Sequence, residues 1–308
     1  MAWRDMYPPR PRTYVGERTS QTNPNFIADE QTGWRMRPGH GFSWRRGART
    51  RYQGNSDGFR GPSNSATVAV PRLSIAVLGD SFMWGTGVAY GRTAGQYVAT
   101  TVESTQVLNY AMPGFGVDQI YQSLIHQAIP SNPNIIVIGI FTDDFDRSFT
   151  AYRWVERFTK PIFTLNSEGL TPQGKDDRPG ALFRWLESNS RLFAFARHVD
   201  RWAGLNYGMG SWWALNAALI DAMATACREA DVPVLFIHIP YKRGTEFEGL
   251  RQHMKRNQYH YIDLNPLMSP SRRKDMYFKD DGHLNADGHT FVGQLIVDWA
   301  DRSVPGFR

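Results

Sequence analysis

Short apolar runs alternate with helical segments through most of the chain, and this alternation constrains the fold more than any other feature. The runs are LSIAVLGD, TQVLNY, NIIVIGIF, VPVLFIHI and HYIDL. The segments between and after them have helical patterning, as in DQIYQSLIHQAI, LNAALIDAMATACREA and GHTFVGQLIVDWADR. Continuous apolar runs are typical of strands buried on both faces, and parallel neighbours need crossover connections. The sequence therefore predicts an α/β domain whose parallel sheet is covered by helices on both faces.

This alternation begins only after an irregular leader and is interrupted once. We expect a β-rich N-terminal extension over residues 1–70, with short strands such as GWRMR and TRYQ between turn dipeptides, and the main domain over residues 71–308. Between about 145 and 210, FTKPIFTLNSEGL predicts a hairpin and RPGALFRWLESNSRLFAFARHVDRW predicts an aromatic helix. This insertion either packs as ordinary core or forms a lid over a pocket.

The extension concentrates positive charge in a chain of formal net charge +6. Such charge could attract an anionic partner, but no helix-turn-helix, zinc-finger or RNP signature accompanies it, so we expect no nucleic-acid binding. A solvated face that pairs locally with acids is the simpler interpretation. The arginines concerned are Arg35, Arg37, Arg45, Arg46, Arg49, Arg51 and Arg60.

Several function classes are disfavoured because their patterns are missing. No apolar run approaches the roughly eighteen residues of a membrane span. The N-terminus MAWRDMYPPRPRTY lacks the apolar stretch of a secretory signal, so a cytoplasmic location is the default expectation. Cys227 is the only cysteine, which excludes an intramolecular disulfide and a cysteine-clustered metal site. Phosphate-loop, dinucleotide and HExxH patterns are absent, so no cofactor or metal is expected, and the oligomeric state is left open.

The sharpest local pattern is IAVLGDSFMWGTGV, in which a strand runs into Gly79, Asp80 and Ser81. Ser81 is expected at the carboxyl edge of the sheet, where sites of such sheets form. A serine hydroxyl needs an adjacent base to become a nucleophile. The segment YFKDDGHLNADGH offers His283 as that base, with two neighbouring aspartates that could orient its imidazole.

The other histidines have weaker contexts. His289, in ADGHTF, is interpreted as a structural residue that opens the final helix. Five more lack a comparable acid nearby in sequence and are expected on the surface or in the core, namely His126, His198, His238, His253 and His260.

A GDS after the first strand, an Asn-to-Gly segment after the second and a C-terminal Asp-His turn together resemble the SGNH hydrolase superfamily of GDSL-like lipases and esterases. The resemblance extends from about Leu73 to the C-terminus. It implies a three-layer α/β/α sandwich with a flavodoxin-like parallel sheet, which acts on esters or transfers acyl groups without a cofactor.

The resemblance also implies roles for individual residues. Ser81 matches the nucleophile, and its backbone N–H is one expected oxyanion donor. Gly114, in NYAMPGFGVDQ, matches the second donor, with Gly116 as the alternative. The next block of the family has an asparagine whose amide donates to the oxyanion, whereas IGIFTDDFDR has Asp143 there. Since an ionised carboxylate cannot donate, three explanations compete: only two backbone donors act, which we favour, Asp143 is protonated, or another residue supplies the amide.

The acid of the last block has two candidates. Members of the superfamily place it three or two residues before the histidine, which matches Asp280 and Asp281 respectively. We prefer Asp280, because Asp281 followed by Gly282 also forms a local turn.

The leader carries a resemblance of its own. The segments DEQTGWRMRPGH and NSDGFRGP are similar to pieces that precede GDS blocks in a bacterial subgroup of the superfamily. We expect this leader to wrap the domain without taking part in catalysis. Arg60 could contact the site, but a structural ion pair is the preferred expectation.

The favoured function is a serine esterase that passes through an acyl-enzyme on Ser81. Its expected substrates are small acyl esters or O-acetyl groups on carbohydrate. An O-acyltransferase with the same triad is the first alternative. A non-catalytic carbohydrate-binding relative is the second, because Asp143 departs from the family pattern and the chain has 10 tryptophans.

Overall fold

A five-stranded parallel sheet forms the centre of the protein. The computed structural model describes residues 25–39, 41–44, 50–62, 71–149, 152–153, 158–173, 212–244 and 247–307. In this part of the chain the strands are β1 (Phe26–Asp29), β2 (Gly33–Met36), β3 (Gly41–Trp44), β4 (Thr50–Gln53), β5 (Leu73–Leu78), β6 (Thr105–Asn109), β7 (Ile135–Phe141), β8 (Tyr152–Arg153), β9 (Phe158–Thr159), β10 (Ile162–Asn166), β11 (Gly169–Gln173), β12 (Val234–Ile239) and β13 (Tyr261–Asp263). The α-helices are α1 (Ser81–Trp84), α2 (Ala94–Thr101), α3 (Val117–Ser123), α4 (Asp144–Arg147), α5 (Trp212–Glu229), α6 (Glu248–Arg256), α7 (Leu264–Leu267), α8 (Pro270–Met276) and α9 (Ala286–Ser303). A π-helix (Leu124–Ala128) and two 3-10 helices (Tyr90–Arg92 and Ile129–Ser131) complete the helical residues of this part of the chain.

The five apolar runs of the sequence are the five strands of the central sheet. Its strand order is β13-β12-β7-β5-β6, and every neighbouring pair is parallel. Numbered along the chain and read from β6, this is the 2-1-3-4-5 order of flavodoxin-like sheets. The central strand β7 has all of its residues buried, as expected for a strand covered on both faces. The predicted α/β class and sheet order are confirmed.

Helices pack onto this sheet in two groups. Helix α2 contacts β6 and α9, whereas α3 contacts α5. Asn285 starts α9, because its side-chain oxygen accepts from the N–H groups of Asp287 and Gly288 at 3.0 Å each. Within the described residues, no helix combines the length and the apolarity needed to cross a lipid bilayer.

The described part of the N-terminal extension consists of two antiparallel hairpins. Strand β1 pairs with β2, and β3 pairs with β4. The predicted strands GWRMR and TRYQ therefore form, as β2 and β4. Large side chains from this extension belong to the same hydrophobic core as the sheet, namely Phe26, Trp34, Met36, Tyr52 and Phe59.

The insertion after β7 contains the predicted hairpin, in which β10 and β11 pair antiparallel. Just before it, Lys160 is fully buried and its Nζ donates to the carboxylate of Asp118 in α3. The predicted aromatic helix lies outside the described residues, and with it the choice between core packing and a lid.

Candidate active site

The carboxyl end of β5 turns directly into the short helix α1, whose first residue is Ser81. Gly79 makes this turn possible: its φ is +143°, and an added Cβ would lie 2.7 Å from the carbonyl oxygen of Gly139. Asp80 caps the helix, because its Oδ1 accepts from the Phe82 N–H at 2.9 Å. The turn and the cap together hold Ser81 at the edge of the sheet.

His283 reaches Ser81 from the loop between α8 and α9. Its Nε2 lies 2.8 Å from the Ser81 Oγ, which is within the hydrogen-bonding range expected of a nucleophile and its base. The loop is held closed by a hydrogen bond from the Phe278 N–H to the His283 carbonyl, at 3.0 Å. The imidazole packs on the Phe82 ring with the two centroids 4.8 Å apart. The predicted contact between Ser81 and His283 is therefore present.

The imidazole is contacted by Asp281 and not by Asp280. The Asp281 Oδ1 accepts from the His283 Nδ1–H, and also from the His283 backbone N–H at 3.1 Å. Asp280 is exposed. This corrects the preference for Asp280: the turn that argued against Asp281 is the turn that carries its carboxylate onto the imidazole, since aspartates in such turns bond to the backbone two residues on. With Nδ1–H donated to Asp281, Nε2 is the acceptor that faces Ser81.

A type II turn follows β6 at the same edge of the sheet. Pro113 and Gly114 are its central residues, Gly114 has a φ of +83°, and the Phe115 N–H donates to the Met112 carbonyl at 3.3 Å. The Met112 N–H in turn donates to the Gly79 carbonyl at 3.0 Å. This bond ties the turn to the segment that leads into the candidate nucleophile.

Two backbone N–H groups at this edge are available to a ligand. Among the described residues, neither the N–H of Ser81 nor that of Gly114 has an acceptor within the protein. The N–H of Gly116, the alternative to Gly114, is already used, because it donates to the Gln119 Oε1 at 3.2 Å. This geometry favours Gly114 over Gly116 as a candidate oxyanion donor.

Asp143 follows β7 at the same edge, and its carboxylate accepts a hydrogen bond from the Tyr241 hydroxyl. The Tyr241 ring meets Phe141 edge-on at 4.9 Å, and Phe141 stacks on Phe82 at 4.3 Å. Because the tyrosine proton is directed at Asp143, this carboxyl acts as an acceptor here. The arrangement favours the explanation in which backbone N–H groups alone serve as donors.

Arg147 in α4 joins three segments of the site, a role that was not predicted from the sequence. Its Nη1 donates to the Asp80 Oδ2 at 2.9 Å, to the Asp144 Oδ1 at 2.6 Å and to the Phe115 carbonyl at 2.9 Å. The Asp80 Oδ2 also lies 3.2 Å from the Ser81 Oγ, so Arg147 holds a second acceptor beside the Ser81 proton. The i,i+3 spacing of Asp144 and Arg147 is the one sequence signal that could have indicated this network.

Burial and clustered charge shift the pKa values in this network. Burial alone lowers the pKa of Arg147, but the carboxylates of Asp144, Asp80 and Asp143 outweigh it and raise that pKa above its usual value. Burial raises the pKa of Asp144 well above its usual value, the Asp80 carboxylate raises it further, and Arg147 opposes both. Arg147 is therefore the fixed cation of the site, while Asp144 takes up a proton more readily than an exposed aspartate.

His238 forms a second hydroxyl–imidazole–carboxylate arrangement beside the first. It is fully buried, its Nδ1 lies 3.0 Å from the Asp263 Oδ1, and its Nε2 lies 3.3 Å from the Thr142 Oγ1. Likewise, the Nε2 of His253 lies 2.8 Å from the Asp221 Oδ1. Neither acid could be predicted from the local sequence, because each is distant along the chain and comes from another element. The expectation of a core position for His238 is confirmed.

His289 is a buried residue of α9, and its Nδ1 accepts from the Ala94 N–H at 3.3 Å. Burial, together with the neighbouring Arg60 and His283, lowers its pKa to about 3. It is neutral at physiological pH and joins two helices, in agreement with a structural interpretation. His198 lies outside the described residues. In the described part of the chain, no group of three or more His, Cys, Asp or Glu side chains is arranged to hold a metal ion.

The chain is also similar to known proteins. A sequence model of the GDSL-like Lipase/Acylhydrolase family matches residues 77–291, whereas no curated protein matches the chain significantly. Similar solved structures include a GDSL-like lipase from Bacteroides thetaiotaomicron VPI-5482, with 11% identity, a TM-score of 0.45 and coverage of 78% of this chain and 95% of that chain. The lipase/acylhydrolase from Enterococcus faecalis has 15% identity, a TM-score of 0.45 and coverage of 75% and 96%. A lipase from a goat rumen metagenome has 14% identity, a TM-score of 0.48 and coverage of 73% and 96%.

Proposed function

The chain belongs to the GDSL-like lipase/acylhydrolase family. We propose that it is a serine esterase that hydrolyses acyl esters through an acyl-enzyme on Ser81. One observation carries the proposal: the Ser81 Oγ lies 2.8 Å from the His283 Nε2, while the opposite ring nitrogen of His283 faces Asp281. A serine with a base at this distance, whose base is oriented by a carboxylate, has the geometry of an activated nucleophile.

In the first half of the reaction, the Ser81 Oγ attacks the ester carbonyl carbon as its proton passes to the His283 Nε2. The Asp281 carboxylate stabilises the imidazolium that forms. Negative charge develops on the carbonyl oxygen, towards which the N–H groups of Ser81 and Gly114 donate. When the tetrahedral intermediate collapses, the alcohol leaves with the proton from His283, and the acyl group stays on Ser81.

In the second half, a water molecule replaces the alcohol. His283 takes a proton from the water as its oxygen attacks the acyl carbon, and then returns the proton to Ser81 as the carboxylic acid leaves. Small acyl esters, including O-acetyl groups on carbohydrate, are the substrates we propose. Transfer to a sugar hydroxyl would use the same residues, with the hydroxyl in the place of water, so the two outcomes differ only in the acceptor.

The test is the turnover of p-nitrophenyl acetate by the wild type, by Ser81→Ala and by a matched control, Ser74→Ala. Ser74 lies at the opposite end of β5, where its hydroxyl contacts Asn134. We expect Ser81→Ala to lose at least about a thousandfold in kcat, because the acyl-enzyme cannot form, and Ser74→Ala to match the wild type. Equal rates for the wild type and Ser81→Ala would contradict the proposal and leave a non-catalytic carbohydrate-binding protein as the better account. Mass analysis of products formed with an oligosaccharide acceptor then separates the hydrolase from the transferase.

A further inference from the structure

The N-terminal extension contacts both segments that carry the candidate oxyanion donors. From β2, the Nε1–H of Trp34 donates to the Pro113 carbonyl at 3.2 Å. The indole is fully buried and packs edge-on against Phe115 with centroids 5.4 Å apart. A second bond fixes the hairpin nearby, because the Gln119 Nε2 donates to the Thr32 carbonyl at 2.6 Å.

The Trp34 bond acts on the peptide unit that contains the candidate donor. The carbonyl of Pro113 and the N–H of Gly114 belong to one planar peptide group and point in opposite directions. A hydrogen bond that fixes the direction of this carbonyl therefore also fixes the direction of the Gly114 N–H. It further polarises the peptide group, which strengthens the N–H as a donor.

Arg60 acts on the other donor through helix α1. Its Nη1 donates to the carbonyls of Trp84 and Gly85 at 2.8 and 2.6 Å, and its Nη2 donates to that of Val88 at 2.5 Å. These are carbonyls at and beyond the end of the helix that Ser81 begins, and such groups lack partners within a helix. The guanidinium also lies 4.7 Å from the centroids of the Tyr52 and Trp84 rings.

The expected ion pair of Arg60 is not what the described residues show. Arg60 is 3% exposed, and in the described part of the chain its partners are carbonyls and aromatic rings. Burial lowers its pKa to about 10, so it remains a cation at neutral pH. Two neighbours reinforce the same loop: the Thr50 Oγ1 donates to the Gly87 carbonyl at 2.8 Å, and the Tyr52 hydroxyl accepts from the Gly87 N–H.

We propose that the extension is part of the catalytic apparatus, with Trp34 as the positioning residue of the Gly114 N–H and Arg60 as the positioning residue of Ser81. The proposal rests on the proposed esterase function, in which both N–H groups face the oxyanion. It gives a physical role to the GWRMR and NSDGFRGP segments, which were expected from the sequence to wrap the domain without taking part in catalysis.

The first test compares Trp34→Phe with Trp299→Phe, which makes the same change in α9. Trp299 is buried, and its Nε1 has no hydrogen-bond partner among the described residues. Complete loss of an oxyanion donor costs about 100- to 1000-fold in rate. In Trp34→Phe the Gly114 N–H is still present but no longer held in direction, so we expect kcat for p-nitrophenyl acetate to fall by about 10- to 100-fold, with KM nearly unchanged. Phenylboronic acid, which forms a tetrahedral adduct with an active-site serine, should lose affinity by the same factor.

The second test compares Arg60→Met with Arg72→Met. Arg72 also donates to backbone carbonyls, those of Gly306 and Phe307 at 3.2 and 2.7 Å, but at the C-terminus. We expect Arg60→Met to lower kcat and boronate affinity together, as for Trp34→Phe, and Arg72→Met to affect only the melting temperature. If Arg60→Met does not fold, Arg60→Lys takes its place. If Trp34→Phe does not fold, β-(3-benzothienyl)alanine takes the place of Trp34, with sulfur at the position of the N–H.

Each pair is judged on its own. A variant that keeps kcat and boronate affinity within about threefold of its control, whatever its melting temperature, overturns the assignment of that residue, because misplaced catalytic groups cost far more. Equal turnover by the wild type and by Ser81→Ala would instead overturn the esterase function itself. The two failures are thus distinguishable.

Discussion

At the scale of single residues, Asp281 holds His283 through one carboxylate oxygen that accepts from both the imidazole and the backbone N–H. This double contact fixes the ring and its tautomer, so Nε2 is presented to Ser81 as an acceptor. We expect Asp281→Ala to lower kcat for p-nitrophenyl acetate by about 1000- to 10,000-fold, as loss of the orienting acid does in other triads. Asp280→Ala is the matched control and should keep the wild-type kcat. A larger loss in Asp280→Ala than in Asp281→Ala would reverse the assignment.

The carboxylate of Asp143 lies at the same edge of the sheet as the two candidate oxyanion donors. If backbone N–H groups alone stabilise the oxyanion, a carboxylate nearby opposes the developing charge. Replacement of Asp143 with asparagine removes that charge and supplies an amide donor, so we expect Asp143→Asn to raise kcat by up to about tenfold at neutral pH. The measurement is kcat across the pH range for both proteins. A fall in kcat would indicate that the Asp143 carboxyl itself takes part in the reaction.

At the scale of elements, the contact between α2 and α9 depends on a neutral histidine. The His289 Nδ1 accepts from the N–H of Ala94, the first residue of α2. Its pKa is lowered to about 3 from the usual 6.5 of histidine. Below pH 6.5 the unfolded chain binds a proton that the folded protein does not. The contribution of the neutral His289 to the free energy of unfolding is therefore complete above pH 6.5 and is lost as the pH falls towards 3.

The variant His289→Asn keeps an acceptor near the position of Nδ1 but cannot be protonated. Its free energy of unfolding, measured in urea, should depend on pH less steeply than that of the wild type, by up to one bound proton between pH 3 and 6.5. Between neutral pH and pH 5, this proton lowers the free energy of unfolding of the wild type by about 2 kcal/mol. The variant should not show this loss. Parallel pH dependences of the two proteins would show that His289 does not titrate in this way.

The elements themselves were largely predictable from sequence, because strands buried on both faces appear as uninterrupted apolar runs. The pair Ser81 and His283 was predictable from local patterns: Ser81 directly follows such a strand, and His283 lies in a polar turn just before the last helix. Contacts between distant residues were not predictable. Trp34 and Pro113 are separated by 79 positions, and Asp80 and Arg147 by 67, and no local pattern records that they meet. The choice of Asp281 needed the conformation of a turn that the sequence only suggested.

At the scale of the whole molecule, the extension and the insertion both attach to the main domain through buried polar groups. The clearest is the ion pair of Lys160 and Asp118, in which both side chains are fully buried. Burial raises the pKa of Asp118, while Lys160 opposes this shift. The pair is held by its mutual attraction in a place where either charge alone would be strongly unfavourable.

We therefore expect Lys160→Met to destabilise the protein by about 3 to 5 kcal/mol, because it leaves the Asp118 carboxyl buried without its partner. The double variant Lys160→Met/Asp118→Leu should recover most of this loss, since neither charge remains. Urea unfolding of the wild type, both single variants and the double variant gives the coupling energy directly. Additive losses would mean that the two residues stabilise the protein independently.

Activation of Ser81 by His283 can be measured by labelling the wild-type protein with a fluorophosphonate probe and mapping the modified peptide. We expect a single adduct on Ser81, which disappears in Ser81→Ala and forms far more slowly in His283→Ala, with none on Thr142 beside the buried His238. Absence of an adduct on Ser81 in folded wild-type protein would show that Ser81 is not an activated nucleophile.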